Sequence, residues 1–104
     1  MNVLLDACVP RPLREHLTGC EVRTAQEMGW GQLKNGDLLR AAEARFQVFL
    51  TSDKRLKHQQ NLAGRKLAIL VLPTNDWTVL RAKTAIILAA VQKLSPGEYT
   101  ELNY

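Results

Sequence analysis

Cysteine is scarce in this chain, with only Cys8 and Cys20 among 104 residues. Neither belongs to a Cys-x-x-Cys pair or neighbours a His pair, so the spacing of a zinc site or redox motif is missing. Reduced thiols are expected, with Cys20 a core residue at the start of a strand. The two histidines, His16 and His58, stand without a Cys, Glu or second His at ligand spacing, which argues against zinc. No Ser-His-Asp or Cys-His arrangement and no Gly-rich phosphate loop occurs. Long apolar runs are also lacking: the longest, residues 85–91, falls far short of the roughly 20 residues that span a bilayer. Asp6 interrupts the apolar start of the chain, so no signal segment is evident. Repeats, linkers and low-complexity stretches are absent. These absences lead to the expectation of one soluble, cytoplasmic domain over residues 1–104 with no membrane association.

What is present suits a globular fold. Hydrophobic residues make up 46% of the chain, enough for a packed core. Fourteen Lys and Arg against ten Asp and Glu leave a formal net charge of +4. That modest surplus suits an anionic partner such as RNA, DNA or an acidic peptide segment.

Apolar runs of strand length alternate with helix-like segments, the pattern of a parallel α/β sheet. Residues 2–5, 21–24, 46–50 and 67–72 read as strands, and 99–103 as a further edge strand. Pro10 and Pro12 favour the first turn of a helix with Leu13 and Leu17 on one face and Gly19 as its stop. Residues 26–34, with Gly29, Trp30 and Gly31, read as a loop. A helix is predicted over 36–45, with Asn35 as its N-cap and Leu38, Leu39, Ala41 and Ala42 inward. Ser52 or Asp53 caps a short helix carrying Lys54, Arg55 and Lys57, and the longest helix is predicted over 78–93. Right-handed crossovers then give the strand order 2-1-3-4.

The most informative feature is a pair of aspartates, each ending an apolar strand: Asp6 after Val3-Leu4-Leu5, and Asp53 after Val48-Phe49-Leu50-Thr51-Ser52. In that order the first and third strands are neighbours with a topological switch between them, and ligands bind at such a crevice. Two carboxylates about 5 Å apart repel by about 3 kcal/mol at an effective dielectric near 20, so the pair calls for a divalent cation. Asp37, in the first turn of the 36–45 helix, would add a third acid at the same edge. Each acid also has a plain structural role open to it. Asp6 and Asp53 can cap turns or helices, Asp37 complements a helix dipole, and Asp76 reads as the N-cap of the long helix. Glu43 reads as half of an ion pair with Arg40 or a neighbour.

Arg11, Arg14, Lys34, Lys54, Arg55 and Lys57 lie on segments leaving this acidic edge, with Arg11, Lys54 and Arg55 singled out for nucleic-acid binding. A basic rim around an acidic centre suits a phosphate backbone; a solvated surface is the simpler reading of any one of them. The polar run His58-Gln59-Gln60-Asn61 reads as a nucleotide contact or a plain loop. Trp30 and Trp77 read either as interface aromatics or as cover for the core.

At this point the residues reach a family pattern. Leu5-Asp6 followed by Pro10-Arg11 and Leu13, Glu27-Met28-Gly29-Trp30, Lys34-Asn35-Gly36-Asp37-Leu38-Leu39, Leu50-Thr51-Ser52-Asp53-Lys54 and Gln59-Gln60-Asn61-Leu62 resemble the short PIN-like domain proteins of prokaryotes, which are similar to VapC-type toxins. The resemblance runs over essentially the whole chain. It implies a PIN-like α/β/α sandwich and Mg²⁺- or Mn²⁺-dependent endonucleolytic cleavage of RNA. It further implies the role of toxin in a type II toxin–antitoxin pair, a cognate antitoxin partner and a homodimer. It carries the first-strand acid to Asp6, the Thr-x-Asp acid to Asp53 and the helix-borne acid to Asp37, as catalytic and metal-holding residues. The larger PIN domains offer a fourth acid, for which this chain has only Asp76 near the right place. Two rivals are a PIN-like module that binds protein or RNA without cutting, and a receiver-like phosphoacceptor. The latter pairs two acids directly after its first strand, where this chain has Ala7 and Cys8.

Overall fold

The computed structural model describes residues 1–56 and 64–103, so Lys57, the run 58–61 and the body of the short helix predicted after Asp53 lie outside the described residues. Five parallel strands form one sheet in the order β2-β1-β3-β4-β5: β1 Asn2–Leu5, β2 Glu21–Thr24, β3 Val48–Thr51, β4 Ala68–Val71 and β5 Tyr99–Glu101. The expected order holds, and the C-terminal strand extends it. Phe46, read as the start of the third strand, instead ends the preceding helix and donates its N–H to Ala42 O at 2.7 Å.

Side chains alternate across the central strands and feed two cores, because both faces of a parallel sheet are covered. Val3, Leu5, Val48, Leu50, Ala68 and Leu70 pack on one face under Leu13, Leu80, Ile87 and Val91. Leu4, Phe49, Ile69 and Val71 pack on the other against Leu38, Leu39 and Ala42. Leu38, Leu39 and Ala42 belong to α1 (Asn35–Arg45), which covers this face with Ala25 and Leu56 packed in the same core. Ala41 is only half-buried at its margin.

Three helical readings change. The Pro10-Pro12 segment forms a 3₁₀ turn, Arg11–His16, that still buries Leu13. Helix α1 starts at Asn35, with Lys34 in the cap position and no side-chain cap bond, so Asn35 lies inside the helix rather than before it. The long helix is divided into α2 (Trp77–Leu80), a 3₁₀ turn (Arg81–Lys83) and α3 (Thr84–Lys93). No glycine or proline marks that break. It falls at Lys83, with φ −121° and ψ 15°, between β-branched Val79 and Thr84, whose stiff side chains weaken a helix. Leu80, Ile87 and Val91 remain fully buried across it, which is why the apolar periodicity reads as continuous. Among the described residues, no helix is long and apolar enough to cross a membrane.

Candidate functional site: an acidic cleft at the carboxyl ends of β1 and β3

Parallel pairing of β1 with β3, Leu5 opposite Leu50, delivers both chains to the same edge of the sheet. Asp6 follows β1, and its N–H is the next rung of the ladder, donating to Leu50 O at 2.9 Å. The chain then turns, and Asp6 O accepts Val9 N–H at 3.0 Å. Asp53 lies two residues beyond β3.

Thr51 ties the two acids together. Its hydroxyl is fully buried; it donates to Asp6 Oδ2 at 2.8 Å and accepts Asp53 N–H at 3.1 Å. Asp6 Oδ1 accepts the N–H of Ala7 at 2.8 Å, so both oxygens of that carboxylate are held. Asp53 Oδ1 accepts Arg55 N–H at 3.0 Å in a tight turn and lies 3.5 Å from Arg55 Nε. Both aspartates are half-buried, which leaves carboxylate surface open to solvent.

Cys8 and Ser52 complete the wall. Cys8 Sγ lies 3.5 Å from Asp6 Oδ2 and accepts Ser52 Oγ–H at 3.1 Å. The resulting cleft, of about 510 Å³, is lined by Asp6, Cys8, Ser52, Asp53, Lys54 and Arg55. Its floor is acidic and its rim basic, a distribution that admits an anion alongside a cation.

The sheet thus gathers Asp6, Asp53, Lys54 and Arg55. Asp37 and Arg11 lie elsewhere. Asp37 is exposed on α1 and forms an ion pair with Arg40, one turn on. Arg11 lines a separate depression with Pro12, Arg14 and Glu15. Among the described residues, no three His, Cys, Asp or Glu side chains cluster closely enough to hold a metal ion. The donor set at the cleft is two carboxylates beside hydroxyls and open solvent. Mg²⁺ suits such a set, because it usually takes one or two carboxylates and leaves its other positions to water and phosphate oxygens.

The remaining acids have structural partners. Asp76 caps α2, its Oδ1 accepting Thr78 N–H at 2.9 Å. Glu43 pairs not with Arg40 but with Arg65 at 3.2 Å, tying α1 to the approach to β4. Trp30 packs edge-on against Phe46, ring centroids 6.0 Å apart, and Trp77 lies 5.6 Å from His16. Cys20 packs against the core, as its position predicts. Thr51, Ser52 and Cys8 were not singled out as site residues by sequence. The signals for Thr51 and Ser52 were polar residues continuing past an apolar strand and the Thr-x-Asp pattern of the resemblance. No protein-family model, curated protein or solved structure matches the chain.

Proposed function

We propose that this chain is a short PIN-like endoribonuclease, dependent on Mg²⁺ or Mn²⁺, acting as the toxin of a type II toxin–antitoxin pair. The observation that carries the reading is the joining of Asp6 and Asp53 through one buried hydroxyl, in a cleft rimmed by Lys54 and Arg55. Support also comes from the sheet order, which puts that cleft at the topological switch where α/β folds bind ligands. The family resemblance supplies the RNA substrate, the antitoxin, the homodimer and the cytoplasmic setting.

In this reading Asp6 and Asp53 would hold the cation, and Asp37, paired with Arg40 on α1, lies outside the cleft. The bound cation supplies Lewis acidity, activating water and offsetting charge on the scissile phosphate. Thr51 keeps Asp6 oriented before any ligand arrives, which removes a reorganisation cost at the moment of reaction. Lys54 and Arg55 hold the RNA backbone through its phosphates, fixing position without reading sequence.

The test is cleavage of a structured RNA panel by purified, antitoxin-free protein with Mn²⁺, Mg²⁺ or EDTA, run beside Asp6→Asn. Metal-dependent cutting that disappears in the variant supports the nuclease. A folded wild type that neither cuts nor binds Mn²⁺ overturns it in favour of the non-cleaving binding module.

A further inference from the structure

The β2 edge of the sheet is closed by side chains instead of by another strand. Among the described residues β2 pairs with β1 alone. Glu21 N–H donates to Met1 O and Ala25 N–H to Leu5 O, both at 2.9 Å, so the odd-numbered residues turn their backbone groups toward β1. Val22 and Thr24 therefore turn theirs outward. A row of outward N–H and C=O groups is a template for a further strand.

Three of the four groups in that row have partners. Glu27 Oε1 accepts Thr24 N–H at 3.0 Å, and Thr24 O accepts Met28 N–H at 3.2 Å. Val22 O accepts from Arg14 Nη2 at 3.4 Å. The two capping side chains also hold each other, Nη1 to Oε1 at 2.6 Å and Nη2 to Oε2 at 3.3 Å. Glu27 N–H closes the motif on Thr24 Oγ1 at 3.1 Å. Among the described residues the buried polar side chains are Thr24 and Thr51: one serves this clamp and the other the acidic cleft.

An ion pair whose side chains are 31% and 32% exposed adds little to stability. Its placement along the edge is what sets it apart. Glu27's carboxyl is held below its ordinary value, first by the Thr24 N–H and then by Arg14, so the clamp is in its charged, acceptor-only form at neutral pH.

We propose that the Arg14–Glu27 clamp keeps β2 from pairing edge to edge with a second copy of this chain. The second copy is the occupant the edge fits best. With Val22 on a two-fold axis, an antiparallel pairing sets Glu21 of one copy across from Arg23 of the other, twice over. Opposite charges facing each other across strands stabilise such a pair. The clamp denies that partner the Val22 carbonyl and the Thr24 N–H.

The experiment is light scattering behind size exclusion across a concentration series, relative to wild type whatever its own assembly state. The variants are Glu27→Ala, Arg14→Ala and the double variant Glu27→Ala with Arg23→Glu. Opening the clamp is expected to shift association to at least about ten-fold lower protein concentration. The added Arg23→Glu should reverse this, because it sets acid against acid. Faster hydrogen exchange at the Thr24 amide in Glu27→Ala confirms that the edge has opened. Folded single variants with the wild-type mass at every concentration overturn the proposal, as does association indifferent to Arg23→Glu. Should Glu27→Ala fail to fold, Arg14→Ala decides the question by the same readout.

Discussion

Thr51 Oγ1 and Asp6 Oδ2 lie 2.8 Å apart across a sequence separation of 45 residues, and the same oxygen accepts the Asp53 N–H at 3.1 Å. One hydroxyl thus sets the orientation of one acid and the backbone of the other. Thr51→Val keeps the shape and removes both bonds. It should cost about 10–100-fold in Mn²⁺ affinity or cleavage rate, the usual effect of losing a group that orients a ligand. Thr51→Ser restores the hydroxyl and should recover most of the loss. Calorimetric Mn²⁺ titration beside single-turnover cleavage checks both. Equal behaviour of Val and Ser would reduce Thr51 to packing.

The acids should separate by position. Asp6→Asn and Asp53→Asn are expected to abolish both Mn²⁺ binding and cutting, while Asp37→Asn, outside the cleft, should slow cutting by less than about ten-fold, equivalent to 1.4 kcal/mol. Circular dichroism on each variant separates lost chemistry from lost fold. A dead but folded Asp37→Asn would overturn the placing of Asp37 outside the proposed site.

Acid should weaken the clamp in a defined direction. The folded state favours ionised Glu27, through the Thr24 N–H and Arg14. Its contribution is therefore complete above the unfolded value near 4.5 and lost as pH falls through the lowered folded value. Urea midpoints of wild type and Glu27→Gln should differ by a constant amount at neutral pH and converge in acid. A gap that widens on acidification would contradict the stated cause.

Among the described glycines of positive φ, Gly97 is the one where a side chain would meet backbone. It has φ of +78°, and an added Cβ would lie 2.6 Å from Arg65 O, a contact that main chain cannot yield cheaply. Gly97→Ala should cost about 1–3 kcal/mol, with early exchange at Leu102 N–H, which bonds Val71 O at 2.8 Å and anchors β5. Thermal unfolding and amide exchange report the two parts separately.

The sheet order was legible because apolar runs such as 48–50 and 68–72 alternate with amphipathic segments, and right-handed crossovers leave few alternatives. Asp6 and Asp53 were legible as polar residues at strand ends. Thr51 was legible only as part of the Thr-x-Asp pattern; its bond to Asp6, 45 residues away, leaves no local spacing to read. The clamp was hidden for the same reason: Arg14 and Glu27 meet only once β2 has packed beside the 3₁₀ turn. The division of the long helix escaped notice because Leu80, Ile87 and Val91 keep their apolar spacing through it.

The parallel β1–β3 pairing that creates the cleft also sets when it can exist. β1 and β3 come together by closing a long loop, and pairings of that kind form late and slowly. Helix α1 and the β1–β2 pair can assemble from nearer neighbours without bringing Asp6 to Thr51. A partly folded or newly made chain would thus carry both carboxylates and no assembled cleft, so any activity of the cleft would be gated by completion of the sheet.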